Sequence, residues 1–205
     1  MRLPDVTGST VGRGVRLCVD VGSVRVGLAT SDPDGLIATP VETLARDTTK
    51  VRRGALPQDV AQIVREAHER GAAVVYVGLP RSLSGHEGAA SVAARAYSVR
   101  LAQAVAPVPV RLVDERMSTV SAHQALHASG LSGRRHRTVV DQAAAVVILQ
   151  AALDAERATG LRSGERVDVD PVLTQREGTG GTDDDTRHGD TARGTHDGTE
   201  GRPDE

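Results

Sequence analysis

The 205-residue chain has no tryptophan and no phenylalanine, and its aromatic side chains are limited to Tyr76 and Tyr97. Single-strand nucleic-acid binders stack successive bases on aromatic platforms, so recognition of that kind is nearly excluded. Cysteine is limited to Cys18. That rules out a disulfide framework, and Cys18 is expected to be a small buried hydrophobe in a reducing compartment. Lysine is limited to Lys50; the other cations are arginines, which suit bidentate phosphate contacts. No apolar run approaches the roughly 18 residues of a membrane span, and the start, MRLPDVTGSTVGRG, lacks the apolar stretch of a signal peptide. The expectation is a cytoplasmic protein with no membrane partner.

The charges are unevenly distributed. Residues 1–159 hold 19 cationic against 15 acidic side chains, net +4, whereas residues 160–205 hold 6 against 12, net −6. A mildly basic body permits nucleic-acid binding without demanding it. From about Gly164 the chain turns to Gly, Thr, Asp, Arg and His with almost nothing to bury, which predicts disorder. The expected organisation is a flexible extension over 1–13, a single α/β domain over 14–158 and a disordered acidic tail over 159–205.

Within the domain, Arg16 to Val21, Arg25 to Ser31 and Leu36 to Leu44 read as strands joined by short turns. Pro57 to Arg70 follows a helical period, with Val60, Ile63, Val64 and Ala67 on one face and Gly71 as its stop. Ala73 to Leu79 is a continuous apolar run, the mark of a strand buried on both faces. A helix over Ala89 to Val105, a strand over Val110 to Val113, a helix over Ser118 to Ser129 and a last helix from Thr138 to about Glu156 complete the pattern. The order β-β-β-α-β-α-β-α implies a mixed five-stranded sheet with helices on its faces.

Three acids far apart in the chain, Asp20, Glu115 and Asp141, fall where a strand ends or a helix begins. A carboxylate at the end of a buried strand is costly unless a metal or hydrogen bonds satisfy it. Hard divalent cations such as Mg2+ and Mn2+ take oxygen ligands, and a pair of them about 3.5–4 Å apart can activate water and steady a leaving oxygen in phosphodiester cleavage. One metal-binding cluster assembled by folding is the reading these acids support. Asp114 and Glu115 leave the fifth strand on opposite faces, so only one of them readily points at such a cluster. Asp141 has a competing reading, because Thr138 and Asp141 stand three apart at a helix start, as in a capping box.

Four segments carry a family resemblance: DVGSVRVGLA from Asp20, VGLPRSLSG from Val77, DERMST from Asp114 and VDQAAAVVILQ from Val140. Their order and spacing are similar to those of the YqgF family of pre-16S rRNA nucleases, also described as Holliday-junction-resolvase-like, and the match spans roughly Arg16 to Arg157. The resemblance implies a ribonuclease H-like fold. It also implies that Asp20, Glu115 and Asp141 are the acidic catalytic and metal-holding residues, and it selects Glu115 over Asp114, which becomes a supporting partner of the site. Taken alone, DVG at a strand end also resembles the phosphate motif of actin-like ATPases and sugar kinases, which need a second domain that this length does not supply.

Around the acids, Arg134, Arg135 and Arg137 read as a basic loop beside the last helix, well placed to hold nucleic-acid phosphates, and Arg25 and Arg116 are further candidates. The expected activity is metal-dependent hydrolysis of structured RNA, with pre-rRNA and ribosome-assembly intermediates as partners. Two alternatives stand beside it: a resolvase acting on branched DNA, which should be a homodimer rather than a monomer, and a non-catalytic binding factor in ribosome assembly or transcription.

Overall fold

A computed structural model of the chain describes residues 11–169 apart from positions 50, 51, 53, 83 and 118–133, and for positions 117 and 134–142 it describes the backbone alone. The elements are β1 (Val15–Val21), β2 (Arg25–Ser31), β3 (Ala38–Ala45), α1 (Gln58–Glu69), β4 (Ala72–Leu79), α2 (Ala89–Val105), β5 (Val110–Asp114), a 3-10 turn (Glu115–Met117), α3 (Arg134–Thr159) and β6 (Glu165–Arg166). They build one sheet in the order β3-β2-β1-β4-β5-β6. β1 pairs antiparallel with β2 and parallel with β4, and β5 runs parallel to β4. This mixed sheet, with three antiparallel strands followed by crossover units and flanked by helices, is the ribonuclease H-like arrangement.

The pleat divides the strands between two cores. Leu17 and Val19 of β1, Val26 and Leu28 of β2 and Val75, Val77 and Leu79 of β4 pack with Val60 and Ile63 of α1 and with Tyr97 and Leu101 of α2. The alternate residues Cys18, Ala29, Val74, Tyr76 and Val113 pack with Ala145, Ile148, Leu149, Ala152 and Leu153 of α3. Gln150 ties α3 to the far edge of the sheet: its Oε1 accepts the Ala38 N–H at 3.0 Å and its Nε2 donates to the Leu36 carbonyl at 3.2 Å. Pro40 lies within β3, where the missing N–H is tolerated because β3 is an edge strand.

The structure departs from the sequence reading in several places. β3 starts at Ala38, not Leu36, because the Asp32 carboxylate accepts the N–H groups of Leu36 at 2.8 Å and Ile37 at 2.7 Å and bends that stretch into a turn. α3 starts at Arg134, so Arg134, Arg135 and Arg137 lie in a helix and not in a loop, and Thr138 is inside that helix and not at its cap. Arginine is a good helix former, so the run continues the helical period backwards.

The ordered body also outruns the expected 158 boundary. β6 adds a sixth strand, antiparallel to β5, with Arg111 opposite Arg166 and Leu112 opposite Glu165. Val167 and Val169 pack against the α1/α2 core, so this piece of the expected tail has something to bury. Its approach depends on Gly164, at φ +75°, where an added Cβ would come within 2.1 Å of the Leu112 carbonyl oxygen. At the other end, residues of the expected flexible extension are tied down: Arg13 pairs with Asp34 at 2.7 Å and the Val11 N–H donates to the Gly160 carbonyl at 3.3 Å. The predicted helix over Ser118 to Ser129, residues 1–10 and the tail from 170 onward lie outside the described residues.

Candidate active site

The site lies on the α3 side of the sheet, where β1, β4 and β5 end. Along β1 the residues facing α3 are Arg16, Cys18 and Asp20, by alternation. Asp20 pairs across the antiparallel ladder with Gly27 of β2. On the other flank Val19 is opposite Val77, which brings Gly78 of β4 level with Asp20. Both neighbours of Asp20 on this face therefore lack a side chain, and the sheet offers a bare backbone floor beside the carboxylate.

Glu115 fills part of that floor. It follows Val113 on the α3 side of β5, in the 3-10 turn that ends the strand. Its Oε1 lies over Gly78: a Cβ added there would be 2.6 Å from that oxygen and 3.0 Å from Ile148 Cδ1. Burial, and after it the negative charges of Asp20 and then Asp114, push the Glu115 carboxyl up to about 7. Below these acids, burial and then the charges of Asp20 and Glu115 push the Cys18 thiol well up, so it stays a protonated, buried hydrophobe as expected.

Asp114 takes the opposite face of β5 and makes different contacts. Its carboxylate accepts the Arg116 N–H at 3.0 Å and both Nε and Nη2 of the Arg116 guanidinium, the latter at 2.7 Å. The hydrogen bonds from Arg116 hold its carboxyl below the usual range. Arg116 is exposed and engaged by Asp114. Arg25 begins β2, two residues before Gly27 on the same face by alternation, and its carbonyl accepts the Gly22 N–H at 2.9 Å to close the β1–β2 turn.

The third expected acid sits at position 141 of α3, one turn before Ala145 on the stripe that continues through Ile148. The side chains of Asp141, Arg134, Arg135 and Arg137 lie outside the described residues. Among the described residues no group of three His, Cys, Asp or Glu side chains is close enough to hold a metal ion. The donors present, two carboxylates drawn together over a glycine floor, are hard oxygens of the kind Mg2+ and Mn2+ take.

Gly78 is a residue of this site that the sequence reading did not single out. Its signal was a glycine inside an otherwise apolar buried strand, which marks a close approach by another group. Which group approaches is set by β5, so the strand alone does not reveal it.

A profile of the family described as "RuvX: Holliday junction resolvase" matches residues 14–155. A protein of Kineococcus radiotolerans is 55% identical over 172 residues, covering 82% of this chain and 87% of its own length. One of Streptomyces avermitilis is 52% identical over 158 residues, covering 77% and 96%. Both relatives carry the name "Putative pre-16S rRNA nuclease". Among solved structures, Thermus thermophilus RuvC in complex with a Holliday junction substrate aligns at a TM-score of 0.45 with 13% identity, covering 73% of this chain and 98% of that one.

Proposed function

This chain belongs to the RuvX/YqgF family, and on that footing we propose that it is a nuclease that hydrolyses phosphodiester bonds of structured RNA and trims the 5′ end of pre-16S rRNA. The observation that carries the chemistry is the Glu115 carboxyl, pushed up to about 7 beside Asp20 over the bare backbone of Gly78. Two acids gathered at such a place repel each other, and a bound cation relieves that repulsion.

Asp20 and Glu115, with Asp141, are the residues that would hold Mg2+ or Mn2+. Once bound, the ion supplies Lewis acidity that lowers the pKa of a nucleophilic water and stabilises charge on the departing oxygen. The protein's own groups do the rest. Gly78, with no side chain, leaves room for the Glu115 carboxylate beside Asp20. Exposed Arg116, Arg25 on the Asp20 face and the arginines at positions 134, 135 and 137 hold strand phosphates, which sets the register of the scissile bond without reading sequence. The protein acts in the cytoplasm, on ribosome-assembly intermediates.

A second reading, resolution of branched DNA, is favoured by the description of the matching family. The two differ in substrate and in assembly, since symmetric cutting of two strands calls for a homodimer. The test is cleavage of defined precursor RNA and of four-way DNA junctions by wild type and Asp20→Asn, each with Mn2+, Mg2+ or excess chelator. Asn keeps the shape and much of the hydrogen bonding of Asp20 but removes a charge, so the rate should fall by about 100-fold or more while thermal stability holds. Full activity in the variant, or wild-type cleavage that survives chelator, would sink the metal-dependent reading, and absence of cleavage of either substrate under every metal condition would leave the non-catalytic binding factor as the better reading. Preference for the junction by a dimeric protein would select the resolvase.

A further inference from the structure

The sharp change at the end of β5, from extended strand to 3-10 turn within two residues, is what carries Glu115 over Gly78. Such a turn leaves a backbone N–H without a ladder partner, and here the Arg116 N–H donates to Asp114 Oδ1 at 3.0 Å. An aspartate accepting the N–H two residues on is the side-chain mimic of a backbone turn. Asp114 is itself held in place. The Arg116 guanidinium lies along it through Nε, at 3.0 Å from Oδ1, and Nη2, at 2.7 Å from Oδ2.

A second arginine approaches from the loop after β4. Arg81 Nε stands 3.9 Å from Asp114 Oδ2, and Arg81 Nη2 donates to Glu87 Oε1 at 3.1 Å. Glu87 in turn accepts from Arg95 of α2 at 2.7 Å and 2.8 Å, and Arg95 reaches Glu165 of β6 at 3.0 Å. Opposite charges thus alternate from β6 to the turn that bears Glu115. Arg81 Nε, with no hydrogen-bond partner, is the loosest link among the described residues.

We propose that Asp114 is a positioning residue for Glu115: its carboxylate, braced by Arg116 and Arg81, closes the turn that sets Glu115 beside Asp20. The role requires an acceptor at position 114 more than a charge. It rests on the proposed metal-dependent activity for its consequence, but not for its geometry, and the two can be measured apart.

The experiment compares wild type, Asp114→Asn, Asp114→Ala and Glu115→Gln as full-length proteins. The first readout, on metal-free protein, is amide hydrogen exchange at Arg116. Wild type and Asp114→Asn should both protect this amide, and Asp114→Ala should expose it. The second is the Mn2+ dissociation constant without nucleic acid. Asn should stay within about threefold of wild type and Ala should weaken binding by about tenfold, the size of effect seen when a group orienting a metal ligand is lost. The third separates kcat from KM: Ala should lower kcat with KM for the strand little changed.

An Arg116 amide that exchanges freely in wild type overturns the proposal whatever the metal does. So does equal Mn2+ weakening by Asn and Ala, because the charge and not the turn would then matter. If Ala fails to fold, Asn decides alone, since it is nearly isosteric and keeps the acceptor: retained protection and Mn2+ affinity support positioning, and loss of either refutes it. Wild-type Mn2+ affinity in Glu115→Gln would sink the metal reading instead, while the amide protection still judges Asp114.

Discussion

The α3 side of the sheet has two charged ends that obey opposite rules. Where β1 begins, Arg16 is 2% exposed and pairs with Glu156 of α3, 3% exposed, at 3.1 Å. Glu156 also accepts from Arg162 at 2.9 Å and from the Tyr76 hydroxyl, while Arg16 donates to the carbonyls of Gly14 and of Pro33, the latter at 3.0 Å. Four residues further along β1, Asp20 shares the floor with Glu115, and burial, then Asp20, then Asp114 raise the Glu115 pKa. One end sets its carboxylate against cations of the chain. The other sets carboxylates against each other. The proposed function rests on that second gathering of like charges.

The sharpest way to break this contrast is to remove the carboxylate at the structural end. Glu156→Ala leaves the buried Arg16 guanidinium without its counter-charge, and breaking one partner of a buried pair costs about 3–5 kcal/mol. For a domain of this size that is a fall in Tm of about 10 °C. Nuclease rate per folded molecule at low temperature should be unchanged. A thermally silent variant, or a stable one that has lost cleavage, would show that the two ends are not separate in role.

Much of this layout was legible in the sequence, for reasons tied to particular residues. The strands over 16–21, 25–31 and 73–79 were readable because their apolar runs are bounded by turns, and the resemblance of DVGSVRVGLA and DERMST picked out Asp20 and Glu115, which folding brings to one face. What was missed depends on contacts between distant segments. Leu36 and Ile37 look like strand yet belong to a turn capped by Asp32. β6 is two residues long and carries no periodic signal, and its docking rests on Gly164 and Arg95. Arg16 resembles any exposed strand arginine until Glu156 arrives from α3. Gly78 acquires its meaning from an oxygen of Glu115. Periodicity reports which face a residue takes, whereas the partner across the fold decides what it does there.

Gly78→Ala should give the mirror image of Glu156→Ala. The new Cβ would stand 2.6 Å from Glu115 Oε1, so the carboxylate must move, and Ile148 Cδ1 at 3.0 Å limits where it can go. A misplacement of about 1 Å at a reacting centre can reduce the rate by about 100-fold. Stability should change little, because crowding against Ile148 is offset by the lower backbone entropy of alanine, about 0.5–1 kcal/mol. Single-turnover cleavage and thermal melting on the same preparation read both quantities. A variant that cleaves at the wild-type rate would mean that Glu115 need not occupy the floor over Gly78.

The smallest effect is the most specific to the acid end. In metal-free protein the Glu115 carboxyl sits at about 7, against 4.5 for the ordinary group. Between those values the native state holds a proton that the unfolded chain has released, so stability falls as pH rises through the window. Below pH 4.5 both states are protonated and the penalty is absent; above 7 it is complete. Glu115→Gln cannot ionise, so its stability should lose this slope and exceed that of wild type at pH 8 by about 2 kcal/mol, after discounting for solvent screening of a half-buried group. Saturating Mn2+ should reverse the order at pH 8, because the cation stabilises the wild-type acids and finds one fewer in the variant. Denaturant unfolding in chelator from pH 4.5 to 8, repeated with Mn2+, measures both signs. Parallel pH profiles for the two proteins in chelator would mean that Glu115 is not held against Asp20, and the contrast between the two ends of the sheet would lose its physical basis.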